Sequence, residues 1–366
     1  MEYYVKETHQ YSSLQNTAGI KARDDLEAIF RNKGITEFVI NSCIDKREEL
    51  DKKNKIYAHI KVWKCWKKRC EKLSSGDVLY IQFPVVEHTL FLSNVINKLN
   101  KKGIKIVIFI HDLEILRDVK RKDKGVSEKA RNYLEETRAL KKASYVVSHN
   151  YAMKEIIKRY GIHENRILNL RLFDYLIDNY EERIKQVNKD IHAKELPVAI
   201  AGNMRQHKAR YVYNLPSHIQ FNLYGVDYCG PQTDSIKYFG AFSPDDLPFI
   251  MTGSFGLVWD GDSVDTCAGA YGEYLQVNNP HKTSLYLASG MPVIIWKKAA
   301  LSEFIVRNNV GFTIDTIAEI PDRLNSITIK DYNEMLHNAK ALSEKIRTGV
   351  FTKRIIDEVR KRRIGQ

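Results

Sequence analysis

The sequence of 366 residues predicts an α/β protein built from two Rossmann-like, doubly wound domains that face each other across a cleft. Two observations predict this fold. Short apolar runs rich in valine, isoleucine and phenylalanine recur along both halves, as in strands buried within parallel sheets. Helical stretches separate most of these runs, and such alternation of strands and helices is typical of parallel sheets.

The predicted elements follow in order along the chain. Buried strands are predicted at 37–41, 78–83, 105–110, 145–150, 197–202, 220–225, 255–259 and 291–296. Helices are predicted at 22–33, 89–102, 127–142 and 151–160. A short helix from His281 to Ala288 is predicted before the last strand, with Asn279 as its N-cap and Pro280 as its first residue.

A charged stretch divides the two predicted domains. Residues 178–196 carry no apolar stripe, so we expect a first domain over 1–180, a linker over 181–196 and a second domain over 197–348. The tail, 349–366, reads as a basic helix that could pack back on the first domain. The cleft between two such domains is where a ligand is expected.

Composition limits the class of protein. The chain is 43% hydrophobic and 28% charged, without an apolar run near the roughly 20 residues of a membrane span or a secretory signal, so we expect a cytoplasmic protein. Its five cysteines lack metal-finger spacing and are expected to be reduced. An excess of 58 Lys and Arg over 45 Asp and Glu predicts an anionic partner. Nucleic acid is disfavoured because no interleaved basic and aromatic RNA-binding motif occurs.

A basic stretch at 61–73 has two interpretations. Trp63 and Trp66 lie at helical spacing among lysines, as in helices that adsorb to an anionic membrane surface. This would place the protein at the inner face of the plasma membrane. The other interpretation is a packed helix with a solvated basic face.

Two segments of the second half are predicted to bind phosphate. Gly202 and Asn203 end a strand and are followed by Arg205 and Lys208, which could clamp an anion, although the motif is weak. The helix that starts after Asn279 offers bare amides and a positive dipole end, and Lys282 adds charge in the first turn. A cation there opposes the dipole, and a bound diphosphate would explain it.

Asp260 and Asp262 suggest a rival interpretation. They follow a predicted strand with the spacing of the DxD element that holds a metal–nucleotide complex, and their oxygens suit Mg²⁺ or Mn²⁺. However, Arg205, Lys208 and Lys282 make a metal counter-charge largely unnecessary. We therefore expect no metal and no other cofactor, and assign these aspartates to sugar hydroxyls or loop capping.

His111 and Asp112 are the candidate general bases. Both come directly after the strand 105–110, where side chains point into the predicted cleft. The alternative is a helix cap.

The residues also carry a family resemblance. The block 253–305 closely resembles the β-1,6-galactofuranosyltransferases of bacterial O-antigen, capsule and lipopolysaccharide synthesis. The segments "NTAGIKARDD", "FIHDLEILR", "VVSHN", "FDYL" and "AGNMRQHK" fit the same family in the same order. The chain is more distantly similar to the glucosyltransferase that extends sugars on serine-rich-repeat adhesins.

The resemblance implies a GT-B fold, inversion at the anomeric carbon, no metal, and a UDP-galactofuranose donor held mainly by the second domain. It places Lys282 and Thr283 at the donor diphosphate, Arg205 or Lys208 at the phosphate-binding basic position, and Thr17 at the loop that meets the donor. Gly19, Asp265 and His281 complete the expected donor site. Phe242 stands where the adhesin enzyme has a tyrosine, so a hydroxyl contact there is not expected.

The sequence therefore predicts an inverting glycosyltransferase. An acceptor hydroxyl, expected on a lipid-linked oligosaccharide precursor, attacks the anomeric carbon while Asp112, or else His111, takes its proton. Two alternatives stay open: another UDP-hexose donor such as UDP-glucose or UDP-galactose, and a non-catalytic subunit that binds a sugar nucleotide. Whether the protein forms a homo-oligomer is also left open.

Overall fold

A computed structural model describes residues 1–8, 18–41, 52–87, 90–118, 125–187 and 191–364. The chain divides into two compact units. The first unit comprises Met1–Ser13, Leu26–Leu170 and Lys353–Gln366, and the second comprises Leu14–Asp25 and Arg171–Thr352. Two helices, at 18–32 and 350–364, contribute residues to both units.

The described part of the first unit contains a six-stranded sheet of order β2-β1-β3-β4-β5-β6, in which all pairings are parallel. Its strands are β1 (Glu2–Thr8), β2 (Thr36–Asn41), β3 (Val78–Phe83), β4 (Lys105–Ile110), β5 (Tyr145–Ser148) and β6 (Ile167–Asn169). Every residue of β3 is buried, as expected for an interior strand covered on both faces. Strands β3 and β4 pair in register, from Val78 with Lys105 to Phe83 with Ile110, so Gln82 lies beside the end of β4.

The second unit repeats this architecture with the order β12-β11-β10-β7-β8-β9, again with parallel pairings. Its strands are β7 (Val198–Asn203), β8 (Phe221–Val226), β9 (Ile236–Tyr238), β10 (Gly256–Val258), β11 (Val293–Trp296) and β12 (Gly311–Ile314).

The helices of the described residues cover both faces of these sheets. They are α1 (Ala18–Asn32), α2 (Lys52–Arg69), α3 (Leu92–Lys101), α4 (Glu114–Asp118), α5 (Val126–Lys142), α6 (Tyr151–Arg159), α7 (Tyr180–Ile184), α8 (Gln206–Ala209), α9 (Leu247–Ile250), α10 (Gly269–Tyr274), α11 (His281–Ala288), α12 (Ser302–Arg307), α13 (Ile320–Ser326), α14 (Ile329–Arg347) and α15 (Val350–Ile364). Single 3₁₀ turns occur at Cys70–Lys72, Glu164–Arg166, Arg210–Asn214 and Ile317–Glu319.

All eight predicted strands are present, and each predicted helix matches an observed one. The strand predicted at 145–150 stops at Ser148 because Asn150 caps α6, its side chain accepting a hydrogen bond from the amide of Met153 at 3.0 Å. Four strands were not predicted. β6, β9 and β12 are only three or four residues long, and β1 has just three consecutive apolar residues, Tyr3 to Val5, between charged and polar ones.

The tryptophans of α2 correct the membrane interpretation of that helix. Trp66 is fully buried in the core of the first unit, and the partly buried Trp63 packs against the same core and beside Phe91. The exposed side of α2 carries lysines, so the helix is packed through its tryptophans and solvated through its basic face. The cysteine expectation is corrected in part: Cys70, Cys229 and Cys267 are free, whereas Cys65 is disulfide-bonded.

The "FDYL" segment, 173–176, lies among the first residues of the second unit, whereas the sequence placed it near the end of the first domain. The Asp174 carboxylate accepts hydrogen bonds from the amides of Phe351 and Thr352, at 3.1 and 2.7 Å, and so caps the start of α15. The backbone carbonyl of Phe173 accepts from the Ser284 hydroxyl at 2.8 Å. Residues 353–364 of α15 belong to the first unit, where the Arg360 guanidinium pairs with the Glu2 carboxylate.

Candidate active site

The second unit places its candidate site where the strand order reverses. Counted from β7, the order is the doubly wound 3-2-1-4-5-6, with β7 and β10 as neighbours at the reversal. In open α/β sheets, ligands bind outside the carboxyl ends of the strands at this point. Gly202 and Asn203 end β7, and Trp259 and Asp260 follow β10.

Lys282 meets this edge from α11. Its ammonium donates hydrogen bonds to the carbonyl of Trp259 at 3.0 Å and to the Asp260 carboxylate at 2.8 Å. Its Cε lies 3.9 Å from the point where a Cβ on Gly202 would stand. The structure thus brings together Gly202, Asp260 and Lys282, from three separate segments of the chain.

Glycine is required at this edge by the close approach of two strands. Gly225 has φ +155°, and a Cβ there would stand 1.7 Å from the carbonyl oxygen of Gly202. Gly202 itself has φ +135°. The backbone therefore stays bare beside Lys282, and a ligand can approach it closely.

The start of α11 differs from its prediction. The helix begins at His281, and Pro280 occupies the N-cap position in an extended conformation with ψ 132°. Asn279 is buried and its amide donates to the carbonyl of Arg171 at 3.0 Å, so it braces the preceding segment instead of capping the helix. The amides of the first turn consequently have no side-chain cap, which preserves their capacity to bind an anion.

Tyr286 fixes α11 under the two strands. Its phenolic oxygen accepts a hydrogen bond from the amide of Ala201 on β7 at 2.7 Å and donates to the carbonyl of Leu257 on β10 at 3.3 Å. Its ring fills the space left by Gly256, where a Cβ would stand 2.2 Å from it. The helix start is therefore held rigidly against the point where the strand order reverses.

Of two further side chains of the first turn, Thr283 is buried and His281 is half-buried, with both ring nitrogens shielded from solvent. Within the described residues, the hydroxyl of Thr283 has no hydrogen-bond partner although its side chain is fully buried. The His281 ring packs beside the rings of Phe173 and Tyr175, with centroids 6.1 and 5.1 Å away. Burial lowers the pKa of His281 to about 4, so this imidazole is neutral at physiological pH.

Arg205 and Lys208 have different surroundings. The Arg205 guanidinium is exposed and pairs with the Asp227 carboxylate at 2.8 Å. Lys208 lies on α8, its ammonium 5.9 Å from the centre of the Tyr271 ring, and its carbonyl accepts from the amide of Gly261 at 3.3 Å. Of the two cations, Lys208 packs against the loop that contains Asp260.

The aspartates after β10 serve different contacts. Asp260 binds Lys282, and the Asp262 carboxylate lies against Gly269, where a Cβ would stand 2.4 Å from its Oδ2. The exposed Asp265 accepts a hydrogen bond from the Ser263 hydroxyl at 3.3 Å. The described residues contain no cluster of three His, Cys, Asp or Glu side chains suited to a metal ion.

His111 and Asp112 lie at the carboxyl end of β4 in the first unit. The His111 Nε2 is 2.7 Å from the Gln82 Oε1, and the Gln82 amide nitrogen is 3.4 Å from a Glu27 carboxylate oxygen. Since that amide donates to Glu27, its oxygen faces the imidazole and Nε2 is the protonated nitrogen. Asp112 instead forms an ion pair with Arg117 at 2.7 Å.

A buried carboxyl supports this corner of the first unit. Glu136 on α5 accepts hydrogen bonds from the amides of Glu114 and Ile115, at 2.9 and 3.0 Å, and so caps α4 directly after Asp112. Burial raises the pKa of Glu136 to about 8.

Sequence reasoning missed several of these residues. Gln82 and Glu27 were not singled out, although a glutamine inside the apolar run "VLYIQF" is a signal in itself, because a buried polar group needs a partner. Tyr286 gave no signal, since a tyrosine in an apolar helix is ordinary. Thr17 lies outside the described residues, and Gly19 is described only as part of the α1 backbone, whose residues 18–25 group with the second unit.

Comparison with known proteins agrees with this architecture. The family models for the N- and C-terminal domains of glucosyltransferase 3-like proteins match residues 2–172 and 198–359. The β-1,6-galactofuranosyltransferase WbbI of Escherichia coli K12 is 37% identical over 292 residues, covering 78% of this chain and 80% of WbbI.

The chain belongs to the glucosyltransferase 3-like glycosyltransferases. The predicted resemblance is thereby confirmed, and members of this family transfer sugars, so the chain is a glycosyltransferase.

Solved structures confirm the fold. Sucrose-phosphate synthase from Thermosynechococcus elongatus superposes with a TM-score of 0.68 at 10% identity, covering 100% of both chains. Anabaena HepE, solved in complex with UDP, superposes with a TM-score of 0.59 at 11% identity, covering 98% of this chain and 99% of HepE. The fold is the GT-B fold, as predicted. None of the helices in the described ranges has the length and apolar character needed to cross a bilayer.

Proposed function

We propose that the protein transfers galactofuranose from UDP-galactofuranose to a hydroxyl of a cell-surface polysaccharide precursor, with inversion and a β-1,6 linkage. The relative named as a β-1,6-galactofuranosyltransferase supports the donor and the linkage. The acceptor is proposed to be lipid-linked, so that transfer takes place at the cytoplasmic side of the membrane. Inversion follows from direct displacement: the acceptor oxygen bonds to the anomeric carbon as the bond from that carbon to UDP breaks.

The donor diphosphate is proposed to bind at the reversal of the second sheet. The position of Lys282 carries this assignment. Its ammonium, 2.8 Å from the Asp260 carboxylate, is a partly buried cation at an uncapped helix start, beside bare glycine backbone. Charge grows on UDP as it departs, and preorganised donors in such a position stabilise that charge. The first-turn amides and the unpartnered Thr283 hydroxyl add donors of the same kind.

Lys208 is proposed as the second phosphate contact, since it packs against the loop that contains Asp260, whereas the Arg205 side chain is exposed. No metal ion is proposed. Asp260, the first aspartate of the DxD-like pair, already has the Lys282 ammonium as its counter-charge. The Lys282 ammonium has three N–H donors, of which Trp259 and Asp260 take two, so it can still contact a diphosphate together with Lys208 and the helix start.

The proton of the acceptor hydroxyl is proposed to go to the His111–Asp112 pair. His111 is preferred because the Gln82 carboxamide, 2.7 Å from Nε2, orients its ring, whereas Asp112 is bound by Arg117. Asp112, the first choice from sequence, then holds Arg117 in place.

A UDP-release assay tests the donor and the metal together. The enzyme is supplied with UDP-galactofuranose, UDP-galactose or UDP-glucose, each with and without EDTA. We expect release with UDP-galactofuranose that survives EDTA. Release only with UDP-glucose would favour the second candidate, a glucosyltransferase, which the glucosyltransferase 3-like family models support. Loss of release on chelation would refute metal independence.

A further inference from the structure

A cationic groove lies at the edge of the first sheet opposite to His111. It has a volume of about 960 Å³ and is lined at the amino ends of β4 and β5, where these strands begin with Lys105 and Tyr145. Its cations are Lys105, Lys141, Lys142, Arg166 and Arg362. No carboxylate is among the lining residues, so the groove concentrates positive charge.

The two arginines are fixed in place by backbone carbonyls. Arg166 donates to the carbonyls of Lys141 and Ser144, at 3.0 and 3.3 Å, and also to that of Ala143. Arg362 donates to the carbonyl of Asn165 and pairs with the Glu358 carboxylate at 2.5 Å. Lys141 and Lys142, at the end of α5, are exposed to solvent. The groove therefore combines a floor of anchored guanidinium groups with exposed lysines at its rim.

An apolar stripe on the exposed face of α5 leads towards this rim. Val126 is 85% exposed and Leu134 is 43% exposed, although both are aliphatic. They lie with Ala130 and Lys141 on one side of the helix, at intervals of four, four and seven residues. Tyr133, 47% exposed, flanks the stripe, and the exposed Arg138 lies beside it.

We propose that this surface, the exposed stripe of α5 with the adjoining cationic groove, docks on a membrane rich in anionic phospholipid. Aliphatic side chains next to lysines and arginines match the two layers of a membrane interface, the acyl boundary and the phosphate-bearing headgroups. The alternative anchor, α2, exposes Lys61, Lys64 and Lys68 but turns its tryptophans inward. The groove lies at the edge of the sheet opposite to His111.

Vesicle flotation tests this surface without any measurement of sugar transfer. Wild-type protein is mixed with phosphatidylcholine vesicles, with or without phosphatidylglycerol, over a series of NaCl concentrations. We expect binding that requires phosphatidylglycerol and weakens with salt. The triple variant K105Q/K141Q/K142Q should lose about fivefold in partitioning for each lysine. The variant L134S should partition about fivefold less into the vesicles, with the same dependence of binding on salt.

The matched control is K61Q/K64Q/K68Q on α2, which removes the same charge from the other basic helix. It should change vesicle binding far less than the groove variant. An equal loss of vesicle binding in the two triple variants would show that net charge alone drives binding. Equally strong binding to pure phosphatidylcholine would show that anionic headgroups are not recognised. Either result overturns the proposal. Thermal melts followed by circular dichroism establish that the variants are folded.

The proposal goes beyond the donor assignment, and calorimetric titration of the same variants with UDP separates the two. Failure to bind vesicles with normal UDP binding refutes the docking surface alone. Normal vesicle binding without UDP binding refutes the donor site alone.

Discussion

The carboxyl ends of β7 and β10 in the second unit present bare backbone, a helix start and the Lys282 ammonium, whereas those of β3 and β4 in the first unit present an imidazole and a carboxylate. Both edges belong to parallel sheets of similar architecture. Their contents differ because α11 brings a cation to one edge, while Gln82 and Arg117 orient His111 and Asp112 at the other.

This difference assigns a separate chemical task to each unit. The second unit offers fixed positive groups at the ends of β7 and β10, which suits the stabilisation of a departing diphosphate. The first unit offers an imidazole and a carboxylate, the groups that we propose for activation of the acceptor hydroxyl. Since each task depends on a few contacts within one unit, single substitutions should separate the two.

The largest effect is expected in the first unit. His111→Ala should lower kcat about 10³-fold, in the range that general bases supply, while UDP binding stays unchanged. Asp112→Asn should cost less than about tenfold, since it weakens the bond to Arg117 but keeps the imidazole. Steady-state kinetics and UDP calorimetry measure both. The reverse order, with Asp112→Asn the more damaging, would make Asp112 the base.

The next effect is expected at Lys282. Lys282→Ala should lower kcat about 10²- to 10³-fold, as for removal of one preorganised donor to a developing anion. Lys282→Arg, which keeps the positive charge, should retain most of the wild-type kcat. Asp260→Asn serves as the matched control, because it removes the partner and leaves the ammonium. Turnover close to wild type in Lys282→Ala would contradict the assignment.

A third substitution tests the backbone on which the diphosphate site depends. Gly225→Ala would place a Cβ 1.7 Å from the Gly202 carbonyl oxygen and should destabilise the fold by about 3 kcal/mol, the cost of overpacking a tight contact. Gly34→Ala is the control: its φ is +74°, but no atom lies within 4 Å, so only backbone strain of about 1 kcal/mol is expected. Urea denaturation measures the free energy of unfolding of both variants. An equal loss of stability in the two would mean that β7 and β8 can move apart to accommodate the added Cβ.

The smallest effect is a dependence of stability on pH. Burial raises the pKa of Asp174 to about 7 from 3.8, so the folded chain holds this proton more tightly than the unfolded chain. Its contribution to stability is therefore present at acid pH and is lost as pH rises from about 4 through about 7. Asp174→Asn should flatten the dependence of Tm on pH in that window.

Asp331→Asn is the control for this prediction. Hydrogen bonds from Thr328 lower the pKa of the exposed Asp331, so its contribution is present above its ordinary pKa and lost only at lower pH. Removing the Asp331 carboxylate should leave the slope of Tm against pH unchanged between pH 5 and 7. If Asp174→Asn keeps the wild-type slope of Tm against pH, Asp174 is not the group whose titration changes the stability.

Much of the fold could be predicted because interior parallel strands are apolar runs of β-branched residues, as "VLYIQF" and "KIVIFI" are. The edge strand β9 and the short β6 could not, since three residues carry no periodicity. That Gly202 and Lys282 lie near each other could be predicted, because the carboxyl ends of parallel strands lie at one edge of a sheet. The bonds from Lys282 to Asp260 and from Gln82 to His111 did not, because pairing of side chains from separate segments depends on register and rotamer.

The position of a bound donor product tests the account most directly. A crystal structure of the protein with UDP should place the pyrophosphate within hydrogen-bond distance of the Lys282 ammonium and of the first amides of α11. A pyrophosphate remote from Lys282, or bridged by a divalent ion to Asp260 and Asp262, would contradict it.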